Sequence, residues 1–155
     1  MVLSYSDSRV PPELAFDQTL GDLFVVRSAG NTAGPLGLAS LEYAFDHLGT
    51  TLLVVLGHTK CGAVTAACSG EKMPTPDLHA MVDQIDPAVA KAKQSATGDA
   101  LIEAAVKENV HQSAMGVVTH SEVLRNAKSR GGLVIIEAEY QLDAGKVIRL
   151  ARSTQ

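Results

Sequence analysis

Short runs of apolar, mostly branched residues alternate along this chain with longer stretches in which apolar residues recur every three or four positions. The short runs are Leu23–Val26, Leu52–Leu56 and Leu133–Ile136, each bounded by glycine or polar residues. Runs of this length and composition are typical of strands that are buried on both faces of a sheet. Val2–Tyr5, at the start of the sequence, predicts a further strand.

The longer stretches predict helices between these strands. From Pro35 to Leu48, apolar residues follow one another at helical spacing up to Gly49, a residue that favours the end of a helix. The same pattern over Ala100–Met115 predicts a second helix, and Thr119–Lys128 predicts a shorter one. A further helix is expected to begin at Pro74 and Pro76 and to run towards Lys93.

Strands that alternate with helices predict an α/β fold with a parallel-centred β-sheet flanked by helices. The residues Asp143-Ala144-Gly145 form a turn signal between two strand-like runs, so we expect the fold to end in a C-terminal hairpin strand. No repeat, linker or low-complexity segment divides the sequence, and its 155 residues fit one domain over 1–155.

Composition narrows the function classes. Hydrophobic residues make up 46% and charged residues 19%, which excludes an intrinsically disordered chain. The formal charge is 13 − 17 = −4, and without a basic run we expect no nucleic-acid partner. The longest apolar stretch has 5 residues, Leu52–Leu56, against the roughly 20 that a membrane span needs, so no membrane partner is expected.

The two cysteines and the first residues bear on localisation. Cys61 and Cys68 are too few for a disulfide framework, and the sequence shows no charged-then-apolar leader. We therefore expect a cytoplasmic protein. Because Val2–Tyr5 already predicts a strand, we also expect that an N-terminal extension is missing.

Reactive side chains follow two of the predicted strands. The segment Tyr5–Arg9 follows the first strand, and Gly57–Gly62 follows the strand Leu52–Leu56. Ligands of parallel sheets bind at the carboxyl ends of the strands. These two segments together are therefore the candidate site.

His58 and Cys61 can close on one divalent ion, because zinc accepts both imidazole and thiolate at about 2.0–2.3 Å. A helix that begins near Cys61 is expected to lower the pKa of its thiol through the helix dipole. The alternative is a capping histidine beside a buried structural cysteine.

Asp7 and Arg9 stand two residues apart in the other segment and can form an ion pair. The guanidinium would keep the carboxylate ionised and oriented, as a metal-bound water requires. The alternative is a surface ion pair worth less than about 1 kcal/mol.

Four segments of the chain resemble the β-class carbonic anhydrases, in the order and at the separations of that family. They are Ser6–Glu13, Gly21–Asn31, Ser40–Ala44 and Gly57–Val64, and the segment Gly145–Val147 is similar as well. The resemblance implies a zinc enzyme that interconverts carbon dioxide and bicarbonate. It also implies active sites at a dimer interface, in a homodimer or higher even oligomer.

The resemblance assigns roles to individual residues. His58 and Cys61 are expected to bind Zn²⁺, and Asp7, partnered by Arg9, to be the catalytic orienting base or a fourth ligand. It further implies that Phe24 lines the substrate pocket and that the amide of Gly62 lies beside the bound anion.

Two features depart from the family. Its first zinc ligand is a cysteine two residues before the aspartate, where this chain has Tyr5, and we expect the N-terminal helical arm of the family to be missing as well. A phenol ionises near pH 10 against about 8.5 for a thiol, so it binds zinc less readily. Cys68 cannot replace the thiol, since it lies two helical turns beyond Cys61.

Three outcomes follow from Tyr5. Asp7, His58 and Cys61 could hold zinc with one position left for water, whose pKa the metal lowers towards 7. Tyr5 could instead bind zinc as a phenolate, or zinc could be lost. The sequence thus predicts an impaired carbonic anhydrase, with a catalytically silent, metal-poor binding module or a related hydrolase of carbon disulfide or carbonyl sulfide as alternatives.

Overall fold

Five strands, six α-helices and a short 3₁₀-helix (Ala29–Asn31) lie within residues 1–151, the part of the chain that the computed structural model describes. The strands are β1 (Val2–Tyr5), β2 (Val25–Ser28), β3 (Leu52–His58), β4 (Val134–Gln141) and β5 (Lys146–Arg149). The helices are α1 (Pro12–Ala15), α2 (Pro35–Asp46), α3 (Gly62–Ser69), α4 (Pro76–Ala92), α5 (Asp99–His120) and α6 (Glu122–Ser129). The last four residues of the predicted domain 1–155 lie outside the described residues.

The strands form one sheet in the order β2-β1-β3-β4-β5. The first four are parallel, and β5 pairs antiparallel with β4 across the turn that contains Asp143. The parallel-centred α/β fold and its C-terminal hairpin are therefore confirmed. Because β1 and β3 are parallel neighbours, their carboxyl ends, Tyr5 and His58, lie at the same edge of the sheet.

The two faces of the sheet are covered differently. On one face, Leu3, Leu53 and Val55 pack against Val110 and its neighbours in α5. On the other face, the cluster around Val2, Leu56 and Ala138 is covered by residues of the segment between β1 and β2, such as Val10 and Phe16. A thick helical layer therefore supports one face, and a thin loop layer covers part of the other.

Strand pairing moves several predicted boundaries. The predicted strand Leu23–Val26 is observed as β2, Val25–Ser28, because its register with β1 extends to Ser28. The predicted strand Leu133–Ile136 continues to Gln141, since parallel pairing of β4 with β3 extends that far along the sheet. Apolarity identified these strands, whereas hydrogen bonding to a neighbour decides where each one ends.

The predicted helix Thr119–Lys128 is wrong at its start. Helix α5 continues to His120, and Ser121 then adopts an extended conformation with φ −111° and ψ 114°. The Ser121 side chain accepts a hydrogen bond from the amide of Leu124 and so caps α6. No helix within residues 1–151 has the length and apolar character needed to cross a membrane.

Candidate functional site

The segments after β1 and β3 meet at the carboxyl edge of the sheet and are held there by two arginines. Arg27, on β2, donates from Nε to the carbonyl oxygen of Tyr5 at 2.9 Å and from Nη2 to that of Asp7 at 2.6 Å. Arg9 Nη2 lies 3.4 Å from the carbonyl oxygen of Lys60 and thereby links the two segments. Arg27 was not predicted from the sequence as a site residue, although its hydrogen bonds fix the backbone that carries Asp7.

Asp7 and Arg9 form the ion pair that their spacing predicts. Arg9 donates from Nε to Oδ1 at 3.0 Å and from Nη2 to Oδ2 at 2.7 Å, and its backbone amide donates to Oδ1 at 2.9 Å. Hydrogen bonds from the side chain and the backbone amide of Arg9 lower the pKa of the Asp7 carboxyl well below its usual range. The carboxylate is therefore ionised and held in one orientation.

His58 is buried with one ring nitrogen lacking a hydrogen-bond partner. Its Nδ1 lies 2.9 Å from the carbonyl oxygen of Thr59, so this nitrogen carries the hydrogen and Nε2 keeps its lone pair in the neutral ring. Nε2 has no hydrogen-bond partner, and its nearest charged neighbour is Asp7 Oδ2 at 3.6 Å. This tautomer leaves Nε2 free to bind a ligand.

Cys61 is a buried thiol at the start of α3, where it is the N-terminal capping residue. Burial raises the pKa of this thiol, and the amides of Val64 and Ala63 at the helix start counteract only part of that rise. The predicted lowering of the thiol pKa is therefore wrong in direction, because desolvation of the thiolate outweighs the helix terminus.

Tyr5 fills the space between these groups and helix α5. It is 3% exposed, and its ring lies edge-on to the His58 imidazole with centroids 4.9 Å apart. The Asn109 Nδ2 donates to its hydroxyl oxygen at 2.7 Å. Burial, with a further contribution from Cys61, raises the pKa of this phenol well above its ordinary value.

A buried polar network beneath the site was not predicted from the sequence. Asn109 Nδ2 also donates to the carbonyl oxygen of Gly30 at 2.8 Å, and Ser113 Oγ donates to that of Asn31 at 2.6 Å. Asn109 and Ser113 lie four residues apart on α5, between the buried Val106, Val110 and Val117. Two polar residues at helical spacing within an apolar stripe are the signal that could have revealed this network.

The two predicted pocket residues lie in different places. Gly62 is the first residue of α3, and a Cβ added there would meet no atom within 4 Å. Phe24 precedes β2 and lies beside Tyr43 with ring centroids 6.4 Å apart. Since Ser28 at the site end is four residues further along, Phe24 is about 13 Å away from it along the strand.

The donors that the sequence proposes for a metal are only partly assembled. Asp7 and His58 face each other, whereas Cys61 is buried with Tyr5 in a cluster of apolar side chains. Within residues 1–151, no group of three or more histidine, cysteine, aspartate or glutamate side chains is placed to hold a metal ion. The two segments converge, but the described side chains form no three-donor centre.

Comparison with known proteins gives a consistent result. A family model described as carbonic anhydrase matches residues 1–147. Carbonic anhydrase 2 of Mycobacterium tuberculosis is 34% identical over 151 residues, which cover 96% of this chain and 72% of that protein. The structure of the β-carbonic anhydrase CcaA superposes with a TM-score of 0.84 at 27% identity, over 97% of this chain and 78% of that one.

A second solved structure is similar to this chain in its fold alone. It comes from a study of two tetrameric β-carbonic anhydrases of the ascomycete Sordaria macrospora, and it superposes with a TM-score of 0.86. It is 22% identical to this chain, and the match covers 99% of this chain and 81% of that one.

Proposed function

The chain belongs to the β-carbonic anhydrase family, and from that membership we propose that its reaction is the reversible hydration of carbon dioxide to bicarbonate, impaired in this chain by Tyr5. The observation that carries the proposal is the pairing of the oriented Asp7 carboxylate with the free Nε2 of His58, 3.6 Å apart at the carboxyl edge of the sheet. This edge is where parallel sheets bind ligands.

The family implies zinc, and the donors of this chain do not fit a complete zinc site as they are arranged. Two ligands at about 2.0 Å from one tetrahedral zinc ion are about 3.3 Å apart, so the separation of Asp7 and His58 is close to suitable. The third donor fails, since the described residues contain no group of three that could share an ion. The burial that raises the pKa of Tyr5 argues against a phenolate in its place.

His58, Cys61 and Asp7 are the residues that we propose as metal ligands. For all three to meet on one ion, Cys61 has to move towards the Asp7–His58 pair, and Asp7 has to turn away from Arg9. An Asp7 carboxylate bound to metal can no longer orient a water molecule. Both rearrangements oppose activity, and this is the physical basis of the proposed impairment.

The other side chains act without such a rearrangement. Arg9 keeps the Asp7 carboxylate ionised and directed towards His58, and Arg27 fixes the backbone beneath it. The open space around Gly62 lets a small anion approach the first amide of α3. A pocket role for Phe24 requires a second copy of the chain, because within one chain it lies at the other end of β2.

We further propose a homodimer or higher even oligomer in the cytoplasm. Apolar side chains remain exposed on the face of the sheet that the helices leave uncovered and on the loop beside it, including Leu52, Val134 and Leu20. A second copy would bury them. In sedimentation experiments, the double variant Leu20→Glu/Val134→Glu should dissociate into single chains. Leu36→Glu, at an exposed leucine of α2, is the matched control and should stay assembled. A double variant that stays assembled contradicts this interface.

Hydration itself is tested by stopped-flow measurement of proton release from carbon dioxide, with and without added zinc. We expect the hydration rate of the wild type to be slightly higher than that of His58→Ala, and the rate of Tyr5→Cys to be clearly higher than that of the wild type. Tyr43→Cys, at an exposed tyrosine outside the site, is the matched control and should change nothing. The proposal fails if the wild type equals His58→Ala and Tyr5→Cys gains no activity.

A second candidate is favoured by the lack of a three-donor group within residues 1–151. In that case the chain is a metal-poor binding module that retains the carbonic anhydrase fold. Broadening of the ¹³C resonance of bicarbonate by the wild-type protein, with no hydration in either the wild type or Tyr5→Cys, would support this alternative.

A further inference from the structure

Thr59, the first residue after β3, is attached to the β4–β5 hairpin through both its backbone and its side chain. Its amide donates to the carbonyl oxygen of Tyr140 at 3.0 Å. Its hydroxyl oxygen accepts a hydrogen bond from the amide of Leu142 at 3.0 Å. The segment that joins His58 to Cys61 therefore begins at a residue that the hairpin holds at two points.

Lys60, the next residue, is attached to the turn of the same hairpin. Its Nζ lies 2.7 and 2.8 Å from the two carboxylate oxygens of Asp143. Its backbone has a φ of 55°, in the left-handed region that residues other than glycine seldom adopt. Such a conformation persists where surrounding contacts hold it, and the ion pair is a contact of this kind. We call the contacts of Thr59 and Lys60 with residues 140–143 the hairpin clamp.

The carbonyl groups of the same two residues contact the site. The Thr59 carbonyl oxygen lies 2.9 Å from His58 Nδ1, which places the ring hydrogen on that nitrogen. The Lys60 carbonyl oxygen lies 3.4 Å from Arg9 Nη2. The two residues thus contact the hairpin through amide and side-chain groups and the site through their carbonyl groups, so they join the hairpin to the site.

The two attachments to the hairpin differ in strength. The side chains of Lys60 and Asp143 are 63% and 79% exposed, and water screens an ion pair of this kind. Thr59 and Leu142 are half-buried, so water competes less with the hydrogen bond between them. Thr59 is therefore the main attachment, and Lys60 is the weaker one.

We propose that Thr59 is a positioning residue for His58: the hairpin clamp holds its carbonyl oxygen against Nδ1, so that Nε2 presents a lone pair to the site. Without the clamp, the carbonyl can turn away and the ring hydrogen can occupy either nitrogen. This role rests on the proposed function, because the reaction assigned to the site needs the lone pair on Nε2. The position of the hydrogen can be measured without turnover, so the two proposals can fail separately.

The test is ¹⁵N NMR of the full chain, in which the shifts of the two ring nitrogens report the tautomer of neutral His58 and amide exchange reports the clamp. The wild type should carry the hydrogen on Nδ1. Thr59→Val keeps the side-chain shape and removes the hydroxyl, so the Leu142 amide should exchange about 10-fold faster, as the loss of one hydrogen bond predicts. The same variant should show a mixture of the two tautomers.

Three further variants isolate the clamp. Thr59→Ser keeps the hydroxyl and should restore both the Leu142 protection and the wild-type tautomer. Asp143→Ala removes the ion pair at an exposed position and should shift the tautomer in the same direction as Thr59→Val, but less. Thr75→Val is the matched control, because its hydroxyl also accepts from a backbone amide, at the start of α4, and it should leave His58 unchanged.

Activity provides the second readout. If Tyr5→Cys hydrates carbon dioxide, adding Thr59→Val should lower that rate about 10-fold, the usual size of the effect when the partner of a ligand histidine is lost. Adding Thr75→Val should not lower it.

The positioning role is overturned if the wild type carries the hydrogen on Nε2, or if Thr59→Val exposes the Leu142 amide and keeps the wild-type tautomer. It is equally overturned if Thr75→Val shifts the tautomer as much as Thr59→Val, which would show a merely structural effect. If the tautomer shifts as expected and Tyr5→Cys fails to hydrate carbon dioxide, the clamp stands and the proposed reaction fails. If Tyr5→Cys hydrates carbon dioxide equally fast with and without Thr59→Val, the reaction stands and the clamp fails.

Discussion

The site has a water-accessible half and a buried half, and the two are stabilised in different ways. In the accessible half, the side chains of Asp7 and Arg9 are 20% and 52% exposed and are joined by charge-assisted hydrogen bonds. In the buried half, Tyr5, Cys61 and Asn109 are almost fully enclosed, and the Asn109 amide donates to the Tyr5 hydroxyl in a hydrogen bond between neutral groups. Both halves lie at the carboxyl edge of the same sheet.

The comparison shows where a substitution alters the site. Water screens the accessible pair and can replace a lost partner, so Asp7 and Arg9 affect orientation more than stability. The polar side chains of the buried half are enclosed by protein, so losing a hydrogen-bond partner there is costly. Tyr5 lies in the buried half, and its hydroxyl therefore depends on Asn109 for a hydrogen-bond partner.

Asn109→Ala should have the largest effect on stability, because it leaves the Tyr5 hydroxyl and the carbonyl oxygen of Gly30 with one partner fewer. We expect the free energy of unfolding to fall by about 2–4 kcal/mol, measured by urea denaturation. Arg9→Ala, from the accessible half, is the control and should change the curve little. Equal losses in the two variants would remove the distinction between the halves.

Tyr5→Phe should have a smaller effect, since the ring continues to fill its space and only the hydroxyl is lost. We expect a loss of about 1–2 kcal/mol in the same measurement, because the buried Asn109 amide loses a hydrogen-bond partner. The exposed Tyr43→Phe should lose almost nothing. A Tyr5→Phe variant more stable than the wild type would show that the hydroxyl is strained rather than satisfied.

In the accessible half, Arg9→Ala should raise the pKa of Asp7 towards its ordinary value, which ¹³C NMR of the carboxyl carbon measures. The folded pKa of Asp7 lies below its unfolded value of about 3.9, so its contribution to stability is present above that value. This contribution is lost as the pH falls through the folded pKa. An unchanged titration in Arg9→Ala would mean that another group orients the carboxylate.

Glu139, on β4, should show the smallest effect, and the pKa of its carboxyl is shifted in the direction opposite to that of Asp7. Burial raises the pKa of this carboxyl, so the wild type loses stability as the pH rises through that folded pKa. Glu139→Gln should remove this loss, so that the free energy of unfolding at neutral pH rises slightly. Urea denaturation from about pH 4.5 to about pH 8, the range over which a carboxyl with a raised pKa titrates, measures the difference. If the variant keeps the wild-type pH dependence of stability, groups other than Glu139 are responsible for it.

The sequence predicted more of the accessible half than of the buried half. The spacing of Asp7 and Arg9 was enough to predict their ion pair, because two residues so close in a loop can meet whatever the rest of the fold does. The partners of Tyr5 could not be predicted in this way, because Asn109 is 104 residues away. The thiol pKa of Cys61 was predicted in the wrong direction for the same reason, since its burial depends on residues distant in the sequence.

The sequence by itself determined the alternation of strands and helices, the two strand-end segments and the family to which they point, because these depend on local pattern and on short motifs. Tertiary structure decided which donors meet: β1 and β3 bring Asp7 to His58, and α5 brings Asn109 to Tyr5. The physical reason is that hydrogen bonds and desolvation act over a few ångströms in space, and only the folded chain brings residues that are distant in sequence within that range.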